Sequence, residues 1–267
     1  PVNSLLEYAP TKKNAQLELP KACVLRKIID YTGSYVQLNL SEHKRSSSQN
    51  PEAGGLRVSS IEYGDDNGVI GSDSFSYTWG TLFAVPEYLQ VLEINGCDQE
   101  TLYSTSPVSL YDQNGASINY PKVEKTLLNG ATESYSFTSL ADVADVPAVV
   151  SAPWYVSAYP NIAPNTSRAF DRGLVKAYRG TNANDADTYL RKVTTYNSSE
   201  LVSNWLENVV VLDAGWEDGI RRFIIYEYSS LSRPVRMLTD TTIRSEGGIS
   251  SQVERKYYYA GSYAEVI

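Results

Sequence analysis

Few side chains in this sequence have the types and spacing that catalysis requires. The chain has one histidine, His43, and two cysteines, Cys23 and Cys97. A structural zinc site takes about four such ligands, so this count argues against zinc. His43 lies in a polar segment with no Gly-x-Ser-x-Gly nucleophile motif, and we expect it to be a solvent-exposed loop residue. No catalytic residue is predicted, and whether Cys23 and Cys97 form a disulfide stays open.

Carboxylates are abundant, since the chain contains 31 Asp and Glu residues. Two of them about 5 to 9 Å apart could act as the acid and base of a glycosidase. A sequence does not reveal such a pair, and Glu87, Glu93 and Asp171 have no distinguishing neighbours. We expect these three to be ordinary surface carboxylates.

Calcium is the metal ion that the sequence could bind, because several loops concentrate oxygen ligands. Asp65, Asp66 and Asn67 are the candidate ligands, although they do not match the spacing of an EF-hand. The alternative is turn chemistry, in which Asp and Asn side chains hydrogen-bond to the nearby backbone. No other cofactor is predicted, and the lack of a glycine-rich phosphate-binding motif argues against nucleotide enzymes.

Aromatic residues beside small polar ones are the remaining hint of function. Trp154, Tyr155 and Tyr159 lie in a proline-rich segment, and Trp216 lies in the sequence Asp-Ala-Gly-Trp-Glu-Asp-Gly. Such rings could present a flat surface to a sugar or to a partner protein. The competing interpretation is that a loop tryptophan closes the end of a β-core.

The elements that must position these residues are predicted to be β-strands. Residues 74–79 alternate small polar with aromatic side chains, which is the pattern of a half-buried strand. Residues 64–68 supply a hairpin turn. Apolar residues change from even-numbered to odd-numbered positions near Ser59 and Ser60, which indicates a bulge. Helical periodicity is scarce, with one or two turns expected at 138–145.

The same hairpin pattern recurs along the chain and predicts an all-β, mainly antiparallel fold. Its hairpins and meanders would form a β-sandwich or extended twisted sheets with very little helix. Residues 223–228 are apolar on both faces and are predicted to form a central strand. We expect residues 1–267 to form a single β-rich unit. A boundary between subdomains 1–150 and 165–267 would lie in the irregular, proline-rich segment 147–164.

The charge of the chain limits its partners. A net charge of −8 and a pI of about 4.8 argue against nucleic-acid binding. No run of about 18 apolar residues is present, so no transmembrane span is predicted. The chain begins at Pro1 without an initiator Met, which is typical of a trimmed mature chain or of an expressed fragment, and a signal or lipid anchor could have been removed from it.

Several short motifs occur in a fixed order. They are Ala53-Gly54-Gly55-Leu56-Arg57-Val58 with Ile61, Asn114-Gly115 with Ile118-Asn119-Tyr120 and Val123, Gly130 with Tyr135-Ser136-Phe137-Thr138, and Arg172-Gly173-Leu174-Val175. In this layout the sequence resembles large uncharacterised envelope proteins of Bacteroidetes that are associated with YD-repeat (Rhs-like) sequences. The resemblance covers most of residues 50–200 and implies an exported, β-rich surface protein that brings no catalytic residues. The chain has no long YD-repeat array, which argues against a delivery role.

Composition, pattern and resemblance together predict a non-catalytic bacterial protein, secreted or at the cell surface, with a structural role in adhesion, scaffolding or assembly. Its partner would be a surface glycan or another envelope protein. Edge strands such as the one that ends near Tyr257-Tyr258-Tyr259 would also allow self-association. The alternative is a carbohydrate-binding module, or a glycosidase that uses paired carboxylates.

Overall fold

The computed structural model describes residues 24–44, 55–84, 89–94, 97–102, 115, 117–158, 163–183, 188–197, 204–232, 236–246, 248–260 and 265–266. Within these ranges the chain is almost entirely β-structure. The one helical element there is a 3-10 turn, Ala169–Asp171. The prediction of an all-β, mainly antiparallel fold with very little helix is confirmed.

Twenty strands, many of them joined as hairpins, make up the described chain. In chain order they are β1 (Lys27–Ile29), β2 (Tyr35–Glu42), β3 (Leu56–Asp65), β4 (Gly68–Tyr77), β5 (Thr81–Leu82), β6 (Leu89–Ile94), β7 (Cys97–Leu102), β8 (Ile118–Asn119), β9 (Lys122–Thr126), β10 (Thr132–Phe137), β11 (Val149–Ser151), β12 (Val156–Ala158), β13 (Val175–Thr181), β14 (Thr188–Asn197), β15 (Asn204–Glu217), β16 (Ile220–Ser232), β17 (Arg236–Glu246), β18 (Ile249–Lys256), β19 (Tyr259–Ala260) and β20 (Glu265–Val266).

Ten strands form one antiparallel sheet, called the main sheet below, in the order β1-β2-β3-β4-β9-β10-β13-β14-β17-β18. The strands in closest contact are hydrogen-bonded neighbours, so each strand is held mainly by the strands on its two sides. The end strands β1 and β18 are exposed at every residue. The main sheet is therefore an extended sheet, as the sequence suggests.

The predicted turns and bulge lie where the sequence places them. Strands β3 and β4 are joined by a tight turn that pairs Asp65 with Gly68, whose φ of 127° suits glycine. The register between β2 and β3 skips Ser59, which is the expected bulge. The Ser59 hydroxyl donates to the Asn39 carbonyl 2.9 Å away. A glycine turn at Gly130 likewise connects β9 to β10.

The two faces of the main sheet differ in composition because side chains alternate along every strand. One face, called the aromatic face, carries tyrosines at paired positions. Tyr135 lies opposite Tyr178, with ring centroids 5.0 Å apart. The other face, called the hydroxyl face, carries serine and threonine, and the Oγ1 atoms of Thr195 and Thr239 lie 2.6 Å apart there. The aromatic face is therefore the one suited to packing or binding.

Glycines in the main sheet leave room for tyrosine rings of the adjacent strand. A Cβ atom on Gly180 would lie 2.7 Å from Cζ and Oη of Tyr189, and one on Gly64 would overlap the Tyr35 ring. A ring laid over a cross-strand glycine covers backbone that would otherwise be exposed. Each tyrosine ring therefore needs a glycine on the neighbouring strand, and the ring in turn covers the backbone of that glycine.

We expect Gly180→Ala to lower the free energy of unfolding by about 1 to 3 kcal/mol, because the new methyl group overlaps Tyr189. Urea denaturation measures this change. In a Tyr189→Ala background the ring is absent, and the same substitution should then cost less than about 0.5 kcal/mol. An equal cost in both backgrounds would contradict the explanation.

A long hairpin of β15 and β16 forms a separate three-stranded sheet with β11, called the hairpin sheet below. Its middle strand is β16, which confirms the central position predicted for residues 223–228. Ile224 and Tyr226 are 0% and 1% exposed. They form a hydrophobic cluster with four other buried residues: Tyr155, Val156, Ala163 and Ala214. This cluster is the core beneath the candidate site.

The proline-rich segment 147–164 is more regular than the predicted loop. It contains β11 and β12, which pair with β16 and β6. The segment 138–145 forms one hydrogen-bonded turn, in which the Val143 amide donates to the Ser139 carbonyl at 2.9 Å. The suggested boundary between subdomains stays a prediction.

Candidate binding surface

The hairpin sheet has one buried face and one exposed face. Strand alternation turns Ile224 and Tyr226 towards the core and the residues between them outward. The exposed face, called the outer face below, carries five large apolar side chains that are between 44% and 72% exposed. They are Val149, Val209, Val211, Trp216 and Phe223. Exposed apolar side chains that share one face of a sheet in this way can form an interaction site.

Two ion pairs hold the tip of the hairpin. Arg221 Nη2 lies 2.6 Å from Asp213 Oδ2, and Arg222 Nε lies 3.4 Å from Glu217 Oε2. Hydrogen bonding from Arg221 lowers the pKa of Asp213. Residues 218–219 both have positive φ, as a two-residue hairpin turn with the right twist requires. The end of the hairpin is therefore held by charge as well as by its turn.

The aromatic residues singled out in the sequence occupy different environments. Trp154 and Trp216 are 86% and 72% exposed, so both are available for binding, and neither closes a core. Tyr155 is buried in the cluster under the hairpin sheet, and its ring meets that of Trp154 edge-on with centroids 5.8 Å apart. Tyr155 therefore packs instead of forming part of a binding surface. Tyr159 lies outside the described residues.

The aromatic face of the main sheet contains a depression of about 520 Å³ for which the sequence gives no signal. Three tyrosines and two cations are among the residues that line it: Tyr135, Tyr178, Tyr196, Lys192 and Arg244. The hydroxyls of Tyr135 and Tyr178 both donate to the Glu133 carboxylate, each over 3.1 Å. Burial raises the pKa of Tyr178, and hydrogen bonding with Tyr189 and the negative charge of Glu133 raise it further. We call this surface the tyrosine depression.

His43 follows the end of β2 in a loop, as predicted, but it is half-buried, so the predicted exposure is wrong. Its Nδ1 lies 2.9 Å from the Tyr120 hydroxyl oxygen, which accepts the Lys44 amide at 3.2 Å. The Tyr120 ring packs against Tyr77, and the Arg57 guanidinium lies 4.7 Å from the Tyr77 ring centroid. Burial lowers the pKa of His43, and the positive charge of Arg57 lowers it further. A neutral imidazole is therefore favoured here.

We expect the protein to lose stability as the pH falls from about 7.5 to about 5, the range in which histidine gains a proton. Unfolding restores the ordinary His43 pKa of 6.5, so the unfolded chain binds the proton more readily. The contribution of neutral His43 to the free energy of unfolding is fully present above pH 6.5. It is lost as the pH falls through the lower pKa of the folded state. Urea denaturation at both pH values measures the loss. The variant His43→Gln should show a flatter dependence, and an unchanged slope would contradict the assignment to His43.

The predicted calcium ligands lie in the turn between β3 and β4. Asp65 Oδ1 accepts the Asn67 amide at 2.8 Å, which is the turn chemistry weighed against calcium. The Asp66 carboxylate lies against Gly33 of a neighbouring turn. Across the ranges described, His, Cys, Asp and Glu do not group in threes as metal ligands would. The geometry favours the turn interpretation, and calcium binding stays a prediction.

The candidate catalytic acids also have structural surroundings. Asp171 is 2% exposed, and Arg168 Nη2 lies 3.0 Å from its Oδ2. The prediction of a surface carboxylate is therefore wrong for Asp171, which is buried in an ion pair. Glu93 is half-buried in β6, and Glu87 lies outside the described residues. A buried carboxylate that is held in an ion pair is better suited to a structural role than to proton transfer.

Comparisons with known proteins identify no relative. No family model matches the chain, and no curated protein or solved structure matches it. In the part of the chain that the structure describes, helices long and apolar enough to cross a membrane are absent. The fold and surface define the class of the chain as an all-β protein with extended antiparallel sheets.

Proposed function

We propose that the protein is a non-catalytic, exported protein of the bacterial cell surface that acts in adhesion, scaffolding or assembly. The observation that carries this proposal is the outer face of the hairpin sheet, with its five exposed apolar side chains. Exposed apolar surface of this kind favours association, because a partner that covers it removes the apolar side chains from water. The sequence resemblance to envelope proteins supports the location.

Binding at the outer face would come from apolar contact on a pre-ordered sheet. The cluster around Ile224 and the ion pair of Asp213 with Arg221 hold the strands in place. Little conformational entropy is therefore lost when a partner docks, which favours affinity. Aromatic residues such as Trp216 and Phe223 supply large contact area.

Fractionation of cells that produce the protein tests the location. We expect the protein in the envelope or the medium, together with markers of those fractions. Recovery with cytoplasmic markers would defeat the proposal.

Binding of the purified protein to intact cells of the producing organism tests the surface. Val211→Ser and Phe223→Ser should reduce binding, because they remove apolar area from the outer face. Val69→Ser removes a side chain that is 60% exposed, a value close to the 56% of Val211, but lies on β4 of the main sheet. This control should bind as the unmodified protein does, and equal losses in all three variants would exclude the outer face.

Glycan binding is the second candidate function, favoured by the high exposure of Trp154 and Trp216. Indole rings stack on the apolar faces of sugars, and we expect each of Trp154→Ala and Trp216→Ala to weaken glycan binding about tenfold. A glycan array identifies the ligand, and titration of the variants measures the loss. Trp79→Ala, which removes a tryptophan 56% exposed beyond the end of β4, is the control. An array without any bound glycan removes this candidate.

A further inference from the structure

Strand β15 is a long edge strand with little of the usual protection. It spans 14 residues, and among the described strands it has a neighbour only on its β16 side. Its sequence contains no Lys, Arg or Pro, and its bulge at Ala214 lies near the hairpin tip. Natural proteins usually protect edges with such features, because an open edge pairs with other strands. Within the described part of the chain, residues 206–213 therefore form an open edge.

One hydrogen bond shows which residues of β15 direct their backbone amides and carbonyls away from β16. The Ser229 amide donates to Thr166 Oγ1 at 2.8 Å, so it points away from β15. Ser229 is the register partner of Glu207. Paired residues of antiparallel strands either bond to each other or both point away. Glu207 therefore directs its amide and carbonyl outward, and by alternation Val209 and Val211 do the same.

Strand β18 is a second open edge, at the end of the main sheet. All eight of its residues are exposed. The Tyr257 amide donates to the Leu238 carbonyl of β17 at 2.9 Å. By alternation, the odd-numbered residues of β18 direct their backbone amides and carbonyls towards β17. Even-numbered positions, which include Gln252, Glu254 and Lys256, therefore point outward. No described strand pairs with them.

Two antiparallel strands can form hydrogen bonds only where residues with outward backbone groups on one strand lie opposite residues with outward backbone groups on the other. This condition restricts the registers in which β15 and β18 could pair. A register with Glu207 opposite Lys256 satisfies this condition and forms an ion pair. On the other face the same register pairs apolar residues: Val210 with Val253, and Leu206 with Tyr257. A shift by two residues would instead place Glu207 opposite Glu254. Of these two registers, the charges therefore favour the one that places Glu207 opposite Lys256.

Charge favours this mixed pairing over the pairing of like edges. Strand β15 carries three acidic residues and no basic one, whereas β18 carries Arg255, Lys256 and one Glu. Two β15 edges would offer no basic residue on either strand to pair with Glu207, in chains that each carry a net charge of −8. Glu207 has no ion pair with any described residue, and Lys256 Nζ has a contact of 4.0 Å to Glu254 on its own strand. Both charges are therefore available to a second strand.

We propose that the β15 edge of one copy pairs with the β18 edge of a second copy, with Glu207 opposite Lys256. This pairing rests on the assembly role proposed above and makes the partner a second copy of this chain. Each copy offers one β15 and one β18, so the contact runs head to tail and either closes a ring or continues as a filament. Backbone hydrogen bonds supply the affinity, and the charged pair fixes the register.

Light scattering of the purified chain over a range of concentrations tests the pairing. The average mass should rise with concentration. Glu207→Lys and Lys256→Glu each place like charges opposite one another, and each should raise the concentration needed for association about tenfold. Val209→Pro, which removes an outward amide, should prevent association while the hairpin stays folded.

Mixing the two charge variants separates edge pairing from an effect of net charge. In an equimolar mixture each altered edge meets a complementary one, so association should return to the unmodified level. Glu124→Lys makes the same charge change in the middle of the main sheet and should have no effect. A chain that is monomeric at every concentration, single variants that associate normally, or a mixture that does not recover would each overturn the pairing. Cell fractionation is independent of these results, so a wrong location and a wrong pairing are distinguished.

Discussion

Replacing Arg172 with methionine is expected to lower the free energy of unfolding by about 3 to 5 kcal/mol. The Arg172 side chain is 1% exposed, and its Nη1 lies 2.8 Å from Oδ1 of Asp145, which is 7% exposed. Loss of the guanidinium leaves the Asp145 carboxylate buried without a counter-ion. The Arg168 amide, which donates to the same oxygen at 2.7 Å, carries no full charge to replace it. Chemical denaturation measures the change.

An exposed ion pair of the same residue types provides the control. Arg221 lies 2.6 Å from Asp213, but these side chains are 55% and 43% exposed. Water solvates the remaining carboxylate there, so Arg221→Met should cost much less than Arg172→Met. The double variant Arg172→Met with Asp145→Leu should recover part of the loss, because no buried charge is left. A similar cost for Arg172→Met and Arg221→Met would show that burial of the first pair does not matter.

Ile224→Ala is expected to cost about 2 to 5 kcal/mol, because it opens a cavity in the cluster under the hairpin sheet. Ile224 is 0% exposed and packs with Tyr155 and Tyr226 among others. The adjacent Ile225 points to the outer face and is only half-buried, so Ile225→Ala should cost about 1 kcal/mol or less. Urea denaturation of the two variants gives the comparison. Equal costs would mean that the two faces of β16 are not distinct.

Much of the local structure could be predicted because short-range rules determine it. The turn at 64–68 and the bulge at Ser59 depend on glycine geometry and on side-chain parity, which are visible in a single segment. The central position of 223–228 follows from apolar residues at both parities. These features are independent of distant parts of the chain.

The candidate surfaces were harder to predict because they depend on which strands become neighbours. Trp154 and Tyr155 are adjacent in sequence, yet one is exposed and the other is buried, since only Tyr155 faces the cluster with Ile224. The tyrosine depression arises from the register of β10, β13 and β14. Periodicity places a side chain on a face, but it does not identify the strand that will lie beside it.

The burial of His43 and Asp171 shows the same limit. Both lie in polar segments, for which exposure is the usual outcome. Tyr120, a partner of His43, is 77 residues away in sequence and could not be inferred from the residues around His43. Arg168 is close to Asp171 in sequence, but the Asp171 carboxylate is buried only because the surrounding chain packs over it.

The strand order of the main sheet has a consequence for how the protein opens. Each inner strand is held from two sides, whereas β1 and β18 are each held from one. Fluctuations should therefore begin at the two ends and move inward one strand at a time, as in other structures built from nearest-neighbour contacts. At concentrations too low for copies to associate, amide hydrogens should exchange fastest with deuterium in β1 and β18 and slowest in β9 and β10, so protection would form a gradient from the ends of the sheet to its middle.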